Sequence, residues 1–172
     1  MQTSNDVTIR EFIEGDESAF WRLNEEWIVR YFAMEPKDEE ALRNPRRTIL
    51  DRGGRIFFAI RQGEPIGCCA LVPMQPGEYE LAKMAVTESC RGAGIGRILL
   101  QAVIAEAFAS GATRLYLETN HQLEPAIRLY ESVGFRHIPP ERKTPSPYAR
   151  SDVSMELYFT NAMAARRETS AG

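Results

Sequence analysis

With 172 residues and 44% hydrophobic side chains, the chain has the size and apolar content of one domain built around one substantial core. A formal net charge of −3 excludes a broad polyanion-binding face, which needs clustered Lys and Arg, so nucleic acid is not an expected partner. The opening Met1-Gln2-Thr3-Ser4-Asn5-Asp6 lacks a basic stretch followed by an apolar one, and no window approaches 18 consecutive apolar residues. A membrane partner is therefore not expected either, and the expected location is cytoplasmic.

Residues 7–12 read as a short strand, and Asp16 is placed to cap a helix running to about residue 31. Phe20, Leu23, Trp27 and Tyr31 recur at spacings of three and four, which puts them on one face, expected to be the buried one. The polar stretch 34–50, with Pro36 and Pro45, is variable in pattern; its alternative reading is a cover over a pocket. Residues 55–60 and 65–72 make a hairpin turned at Gln62-Gly63-Glu64. Cys68 and Cys69 on its second strand must point to opposite faces, so together with Cys90 they fit reduced thiols better than a disulfide framework. After Pro73, Pro76 and Gly77 a third strand covers 79–87, and a glycine-rich turn at 91–96 leads into a long apolar helix, 95–110, stopped by Gly111.

Residues 113–119 are rich in β-branched and aromatic side chains and read as a strand. Pro125 opens a shorter helix ending at Gly134, and strands at 135–138 and 153–159 bracket a proline-rich basic loop, 139–150. This order of elements is an α+β pattern. One domain is expected over 7–159, followed by a flexible tail at 160–172. Two histidines, His121 and His137, without a Cys-x-x-Cys pair give no expectation of a metal site.

The strand, glycine turn and helix around residue 94 carry the chemistry. A helix N-terminus offers unpaired N–H groups and a positive dipole end, and glycines let the backbone close on a phosphate. Gly92, Gly94 and Gly96 alternate there, with Arg91 and Arg97 at the rim. Spacing decides among phosphate motifs. No Gly-x-x-x-x-Gly-Lys run exists, and a Gly-x-Gly-x-x-Gly count ends on Arg97 from Gly92 and on Leu99 from Gly94. Arg-x-x-Gly-x-Gly fits as Arg91, Gly94 and Gly96.

That turn, with Ala126-Ile127-x-Leu129-Tyr130-Glu131-x-x-Gly134-Phe135 after the next strand, resembles the cofactor half of the GNAT N-acetyltransferases, and the likeness extends over roughly 7–159. The resemblance implies a mixed, mostly antiparallel sheet of six to seven strands with helices on both faces and two strands splayed at the cofactor site. It implies acetyl-CoA as cosubstrate, its pyrophosphate on Arg91, Gly92, Ala93, Gly94, Ile95, Gly96 and Arg97, and its pantetheine arm along the backbone of Met84, Ala85 and Val86 beside Asn120 and Ala126. Direct attack by an amine on the thioester needs a base and an acid. Glu80 matches the place where some members carry a catalytic glutamate, with Glu118 or a water chain as fallback, and Tyr130 matches a tyrosine near the coenzyme sulfur. Each has a plainer alternative: an exposed or Lys83-paired carboxylate for Glu80, a surface carboxylate for Glu118, a packed aromatic for Tyr130, a turn-forming Asn for Asn120. No histidine is placed to activate Cys90, which favours direct transfer over an acetyl-cysteine.

In this family the acceptor side is written in the N-terminal helices and in the loop before the last strand, here 21–50 and 139–150. Arg142, Lys143 and Arg150 either bind an acceptor carboxylate or belong to a basic surface loop. Leu23-Asn24-Glu25-Glu26-Trp27, Leu117-Glu118-Thr119-Asn120 and Ser146-Pro147-Tyr148-Ala149-Arg150-Ser151-Asp152-Val153 resemble a bacterial subgroup also found fused to MarR-type regulators. The expected acceptor is a primary amine of a small molecule or amino acid. A protein lysine or N-terminus, or a non-catalytic acyl-CoA module, are the alternatives, and homodimerisation stays open.

Overall fold

The computed structural model describes residues 6–160. Along them run β1 (Val7–Glu11), α1 (Glu17–Tyr31), α2 (Pro36–Arg43), α3 (Pro45–Thr48), β2 (Arg55–Arg61), β3 (Glu64–Pro73), β4 (Glu78–Val86), α4 (Ile95–Ala109), β5 (Arg114–Thr119), α5 (Glu124–Ser132), β6 (Arg136–His137) and β7 (Val153–Tyr158). Single 3-10 turns lie at Leu50–Arg52, Glu88–Cys90 and Pro140–Arg142. The strands form one sheet in the order β1-β2-β3-β4-β5-β7-β6, antiparallel except for the β4–β5 pair. This is the mixed α+β sheet expected from the sequence. Among the described residues no helix is long and apolar enough to cross a membrane. The tail expected to be flexible lies, apart from Thr160, outside the described residues.

Strand alternation sorts the apolar residues into two cores. Phe57, Ala59, Cys69 and Leu71 face α4 and α5, where Leu99, Leu100, Val103 and Phe135 complete the cluster. Ile56, Phe58, Cys68 and Ala70 face the other side, against Phe20, Leu23 and Ile28 of α1 and Leu42 of α2. Each large side chain buried this way contributes about 1.5–3 kcal/mol. The adjacent cysteines do point to opposite faces, and all three thiols are free. Burial pushes the Cys68 thiol up to about 12 and raises Cys69 as well, so neither is a nucleophile at neutral pH.

Four local expectations are corrected. Asp16 occupies the N-cap position of α1, yet its carboxylate bonds Arg10 at 2.6 and 3.1 Å and the Ile13 amide at 2.8 Å instead of the helix's first turn. Burial favours the neutral form of Asp16, but these donors outweigh it and lower its pKa. The buried row of α1 is Phe20, Leu23, Asn24 and Ile28, while Tyr31 is 44% exposed because the last turn runs beyond the apolar cluster and Tyr31 packs on Arg30. Stretch 34–50 is helical, and its two prolines are the opening residues of α2 and α3, where a missing N–H costs nothing. The strand expected at 135–138 shortens to Arg136–His137, since it sits at the sheet edge and pairs only with β7.

Candidate active site

Gly92 and Gly94 have φ of +78° and +77°, a region L side chains rarely adopt, and a Cβ at either meets nothing within 4 Å. They serve conformation and leave an open surface in front of the turn. Gly96 has an ordinary φ, but a Cβ there would lie 3.2 Å from Leu129 Cδ2 and 3.7 Å from Met84 Cε, so its hydrogen lets α4 approach α5 and β4. Gly94 caps α4 without a side chain, and the first helical bond runs from Ile98 N to Gly94 O at 3.1 Å. The amides of residues 95–97, which precede that bond, consequently have no intrahelical acceptor, and they gather at the positive end of a 15-residue helix. Arg91 reaches the Val86 carbonyl at 3.3 Å, and neither Arg91 nor Arg97 pairs with a carboxylate among the described residues. Glu26 of α1 fastens the approach to this turn, accepting from Thr87 Oγ1 at 3.0 Å and from the Glu88 amide at 2.6 Å.

In front of the turn the sheet opens. The β4–β5 ladder contains only Glu78↔Arg114, Tyr79↔Leu115 and Glu80↔Tyr116, although β4 continues to Val86 and β5 to Thr119. Beyond Glu80, β4 has β3 on one side and, among the described residues, no strand on the other, so Met84, Ala85 and Val86 present a backbone edge to the gap. The β3–β4 register also slips between Cys68 and Ala70, and Lys83 has φ +53°, so β4 bulges at Lys83 and Met84. The Lys83 carbonyl is held by the Cys68 thiol at 3.4 Å.

Glu80 and Glu118 stand on the two strands that part. Burial, and then the charge of Glu118, push the Glu80 carboxyl up to about 7, against opposing attraction from Lys83 and Lys37. Glu118 accepts from Tyr116 Oη at 2.9 Å and Ser146 Oγ at 2.7 Å, whereas the Glu80 carboxylate takes no hydrogen bond among the described residues. Tyr130 is buried on α5 in a T-shaped contact with Phe135, and its hydroxyl meets only a weak acceptor, Met84 Sδ at 3.9 Å. Burial raises its pKa, keeping the phenol protonated through the physiological range. Met84 thus touches both Tyr130 and the space beside Gly96, and Ala126, one turn before Tyr130, packs into the same cluster. Asn120 donates to Arg150 O at 2.6 Å and accepts from Gln122 N at 2.8 Å, leaving one amide hydrogen.

The basic loop makes internal contacts. Arg142 bonds Glu156, Lys143 bonds the Asp152 carbonyl at 2.9 Å, and Arg150 grips Asp38 with two 2.6 Å bonds. Lys83 pairs with Asp38 at 3.0 Å, not with Glu80. His121 pairs with Asp152 and His137 with Glu131, while Cys90 lies 3.8 Å from Arg61, so no histidine contacts it. No cluster of His, Cys, Asp and Glu able to hold a metal occurs among the described residues. Sequence reasoning gave no role to Asp38, Tyr116 or Ser146. Tyr116 was accessible as the i−2 neighbour of Glu118 on one strand face, whereas Asp38 reads as one more charge in a polar run.

The Acetyltransferase (GNAT) family model matches residues 19–135. The chain is 31% identical over 121 residues to an uncharacterized N-acetyltransferase of Schizosaccharomyces pombe, covering 67% of this chain and 74% of that protein. It is 35% identical over 102 residues to the IAA acetyltransferase of Azospirillum brasilense, covering 59% and 64%. Among solved structures, a GNAT-family acetyltransferase from Staphylococcus aureus matches with TM-score 0.81 at 21% identity, covering 90% of this chain and 99% of that one. A Salmonella typhimurium structure with its cofactor acetyl-CoA matches with TM-score 0.68 at 20% identity, covering 90% and 94%. The structural likenesses establish the fold. Since the family match runs from α1 through α5, and so contains the glycine turn and both parted strands, the chain belongs to the GNAT family of acetyltransferases.

Proposed function

We propose that the protein transfers an acetyl group from acetyl-CoA to a primary amine of a small molecule. The observation that carries this reading is the alignment of an amide-lined, glycine-rich helix start with a parted β4–β5 pair that holds an unbonded, elevated Glu80. The turn's amides with Arg91 and Arg97 suit a pyrophosphate, and the β4 edge at Met84, Ala85 and Val86 suits the amides of a pantetheine arm, with Asn120 and Ala126 beside it. Acetyl-CoA supplies an activated thioester carbonyl. Glu80 takes the proton that the acceptor ammonium must lose, a β4 amide polarises the carbonyl oxygen, and Tyr130 returns a proton to the departing sulfur as the C–N bond forms and the C–S bond breaks.

A small acceptor is favoured over a protein segment because α2 and the loop 143–152 are tied together through Asp38 and Arg150, which walls that side. Arg142 and Arg150 are already paired with carboxylates, leaving only the exposed Lys143 on this loop, while Glu80 and Glu118 line the opening and repel an acceptor carboxylate. The test is calorimetric titration with acetyl-CoA, followed by turnover of amine pairs that differ by one carboxylate, cadaverine against lysine and tyramine against tyrosine. The decarboxylated member of each pair is expected to have about tenfold higher kcat/KM or more, the cost of one unpaired charge near the site. Absence of acetyl-CoA binding sinks the acetyltransferase reading, and equal or reversed preference sinks the acceptor class alone. Tyr130→Phe keeps the packing and removes one hydrogen bond to a charged leaving group, so kcat is expected to fall about 10- to 100-fold with little change in acetyl-CoA affinity. A kcat equal to wild type would return Tyr130 to a packing role.

A further inference from the structure

Asp38 is fully buried, at 0% exposure, on a helix otherwise covered with charges. An ionised carboxylate in such a place is costly unless every lone pair is engaged, and here each oxygen takes two donors. Oδ1 accepts from Lys83 Nζ at 3.0 Å and Arg150 Nη2 at 2.6 Å, and Oδ2 from Arg150 Nη1 at 2.6 Å and the Glu35 amide at 3.0 Å. Burial opposes ionisation, but these donors outweigh it and bring the Asp38 carboxyl down to about 2. Glu35 adds a second acid by bonding Arg150 at 3.1 Å and the Ala149 amide at 3.1 Å. Two cations and two anions thus close on one another, with Arg150 stacked between Trp27 and Tyr148 at 5.7 and 4.7 Å.

We infer that Asp38 is a positioning residue for the acceptor side of the opening: through Arg150 and Lys83 it fixes the loop 143–152 and the β4 bulge relative to each other. The acceptor-side role rests on the acetyltransferase reading above. The connections from Asp38 lead to the parted strands. Lys83 Nζ meets Tyr148 Oη at 3.0 Å, the Tyr148 amide donates to Ser146 Oγ at 3.0 Å, and Ser146 Oγ donates to Glu118 at 2.7 Å. The Arg150 carbonyl takes the Asn120 amide at 2.6 Å. One carboxylate on α2 therefore governs what hydrogen-bonds Glu118 and Asn120 on and after β5, and where the Lys83 ammonium stands three residues from Glu80 on β4. Packing alone does not require this arrangement, because a buried ion cluster is a poor source of stability compared with apolar residues of similar volume.

The test is Asp38→Asn, which keeps the shape and removes the charge. Two readouts need no amine substrate. Hydrogen exchange of the bonded amides within 146–150, those of Tyr148 and Ala149, is expected to accelerate by about tenfold or more while the α4 amides stay as in wild type. The titration midpoint of the Glu80 carboxyl, followed by 13C NMR and assigned with Glu80→Gln, is expected to shift by about half a pH unit or more as Lys83 loses its anchor. The groups that face Glu80 are Glu118 and Tyr116 from β5, Lys83 on its own strand and Lys37 from α2, so a change in where Lys83 stands changes how far Glu118 is opposed. A folded Asp38→Asn protein with unchanged loop exchange and an unchanged Glu80 midpoint overturns the inference. Failure of the acetyltransferase reading would instead show as absent acetyl-CoA binding in wild type. Should Asp38→Asn not fold, Arg150→Met leaves Lys83 to pair with Asp38, and the same acceleration at 146–150 is then required; its absence overturns the inference equally.

Discussion

Gly94→Trp is expected to weaken acetyl-CoA binding by about 10²- to 10⁴-fold, the loss of two or so charge-assisted hydrogen bonds at about 1.5–3 kcal/mol each. Gly94 sits at φ +77° as the N-cap of α4, and a Cβ there points into space where nothing lies within 4 Å. On the proposed reading, an indole in that space would meet the pyrophosphate before it meets the protein, blocking the ligand while leaving the core untouched. Gly94→Ala separates the two components, since it carries the left-handed backbone strain without the bulk. Its binding is expected to fall between wild type and Gly94→Trp. Calorimetry gives the affinities and thermal melting confirms that each variant is folded. Wild-type affinity in Gly94→Trp would move the phosphate site away from this turn.

Glu80→Gln is expected to lower kcat/KM by about 10²- to 10⁴-fold, the usual contribution of a positioned general base. The pH dependence identifies the residue. Burial and Glu118 hold the Glu80 carboxyl up at about 7, so its basic form is scarce in acid, and wild-type kcat/KM should rise with pH through about 7 and then level. In Glu80→Gln that rise should disappear. Stability follows with a defined sign. A carboxyl whose folded pKa exceeds its unfolded value of 4.5 binds its proton more tightly in the native state. The stabilisation linked to that proton is complete below the unfolded value and is lost as pH rises through about 7. Thermal melts of Glu80→Gln and wild type should therefore diverge at pH 8 in favour of the variant. If the acid limb survives in Glu80→Gln and vanishes in Glu118→Gln, Glu118 is the base.

The parts of the site that were legible in the sequence are those governed by local backbone chemistry. Gly92 and Gly94 mark a tight turn at an open helix start, and the turn stands there, with φ of +78° and +77°. Cys68 and Cys69 announce opposite faces because strand alternation has period two, and they fall in opposite cores. Pro36 and Pro45 leave the pattern of 34–50 ambiguous in the sequence, because proline breaks a helix interior but is an asset at a first helical position, where both stand. The α1 stripe was centred one position off because helical spacing defines a face but not where the supporting sheet stops.

The order of elements, the α+β class and the glycine turn followed from sequence, because each depends on neighbours within a few positions, whereas Glu80 and Tyr130 entered only through the family resemblance. Three things depended on the tertiary structure. The parting of β4 from β5 after Glu80 arises from pairing between segments more than thirty residues apart. The elevation of Glu80 comes from burial and from Glu118 across that gap, while Glu118 itself is engaged by Tyr116 and Ser146. The role of Asp38 comes from Arg150, 112 positions away, and from Lys83. Electrostatic energies depend on distance and desolvation in three dimensions, and neither is a property of position along the chain.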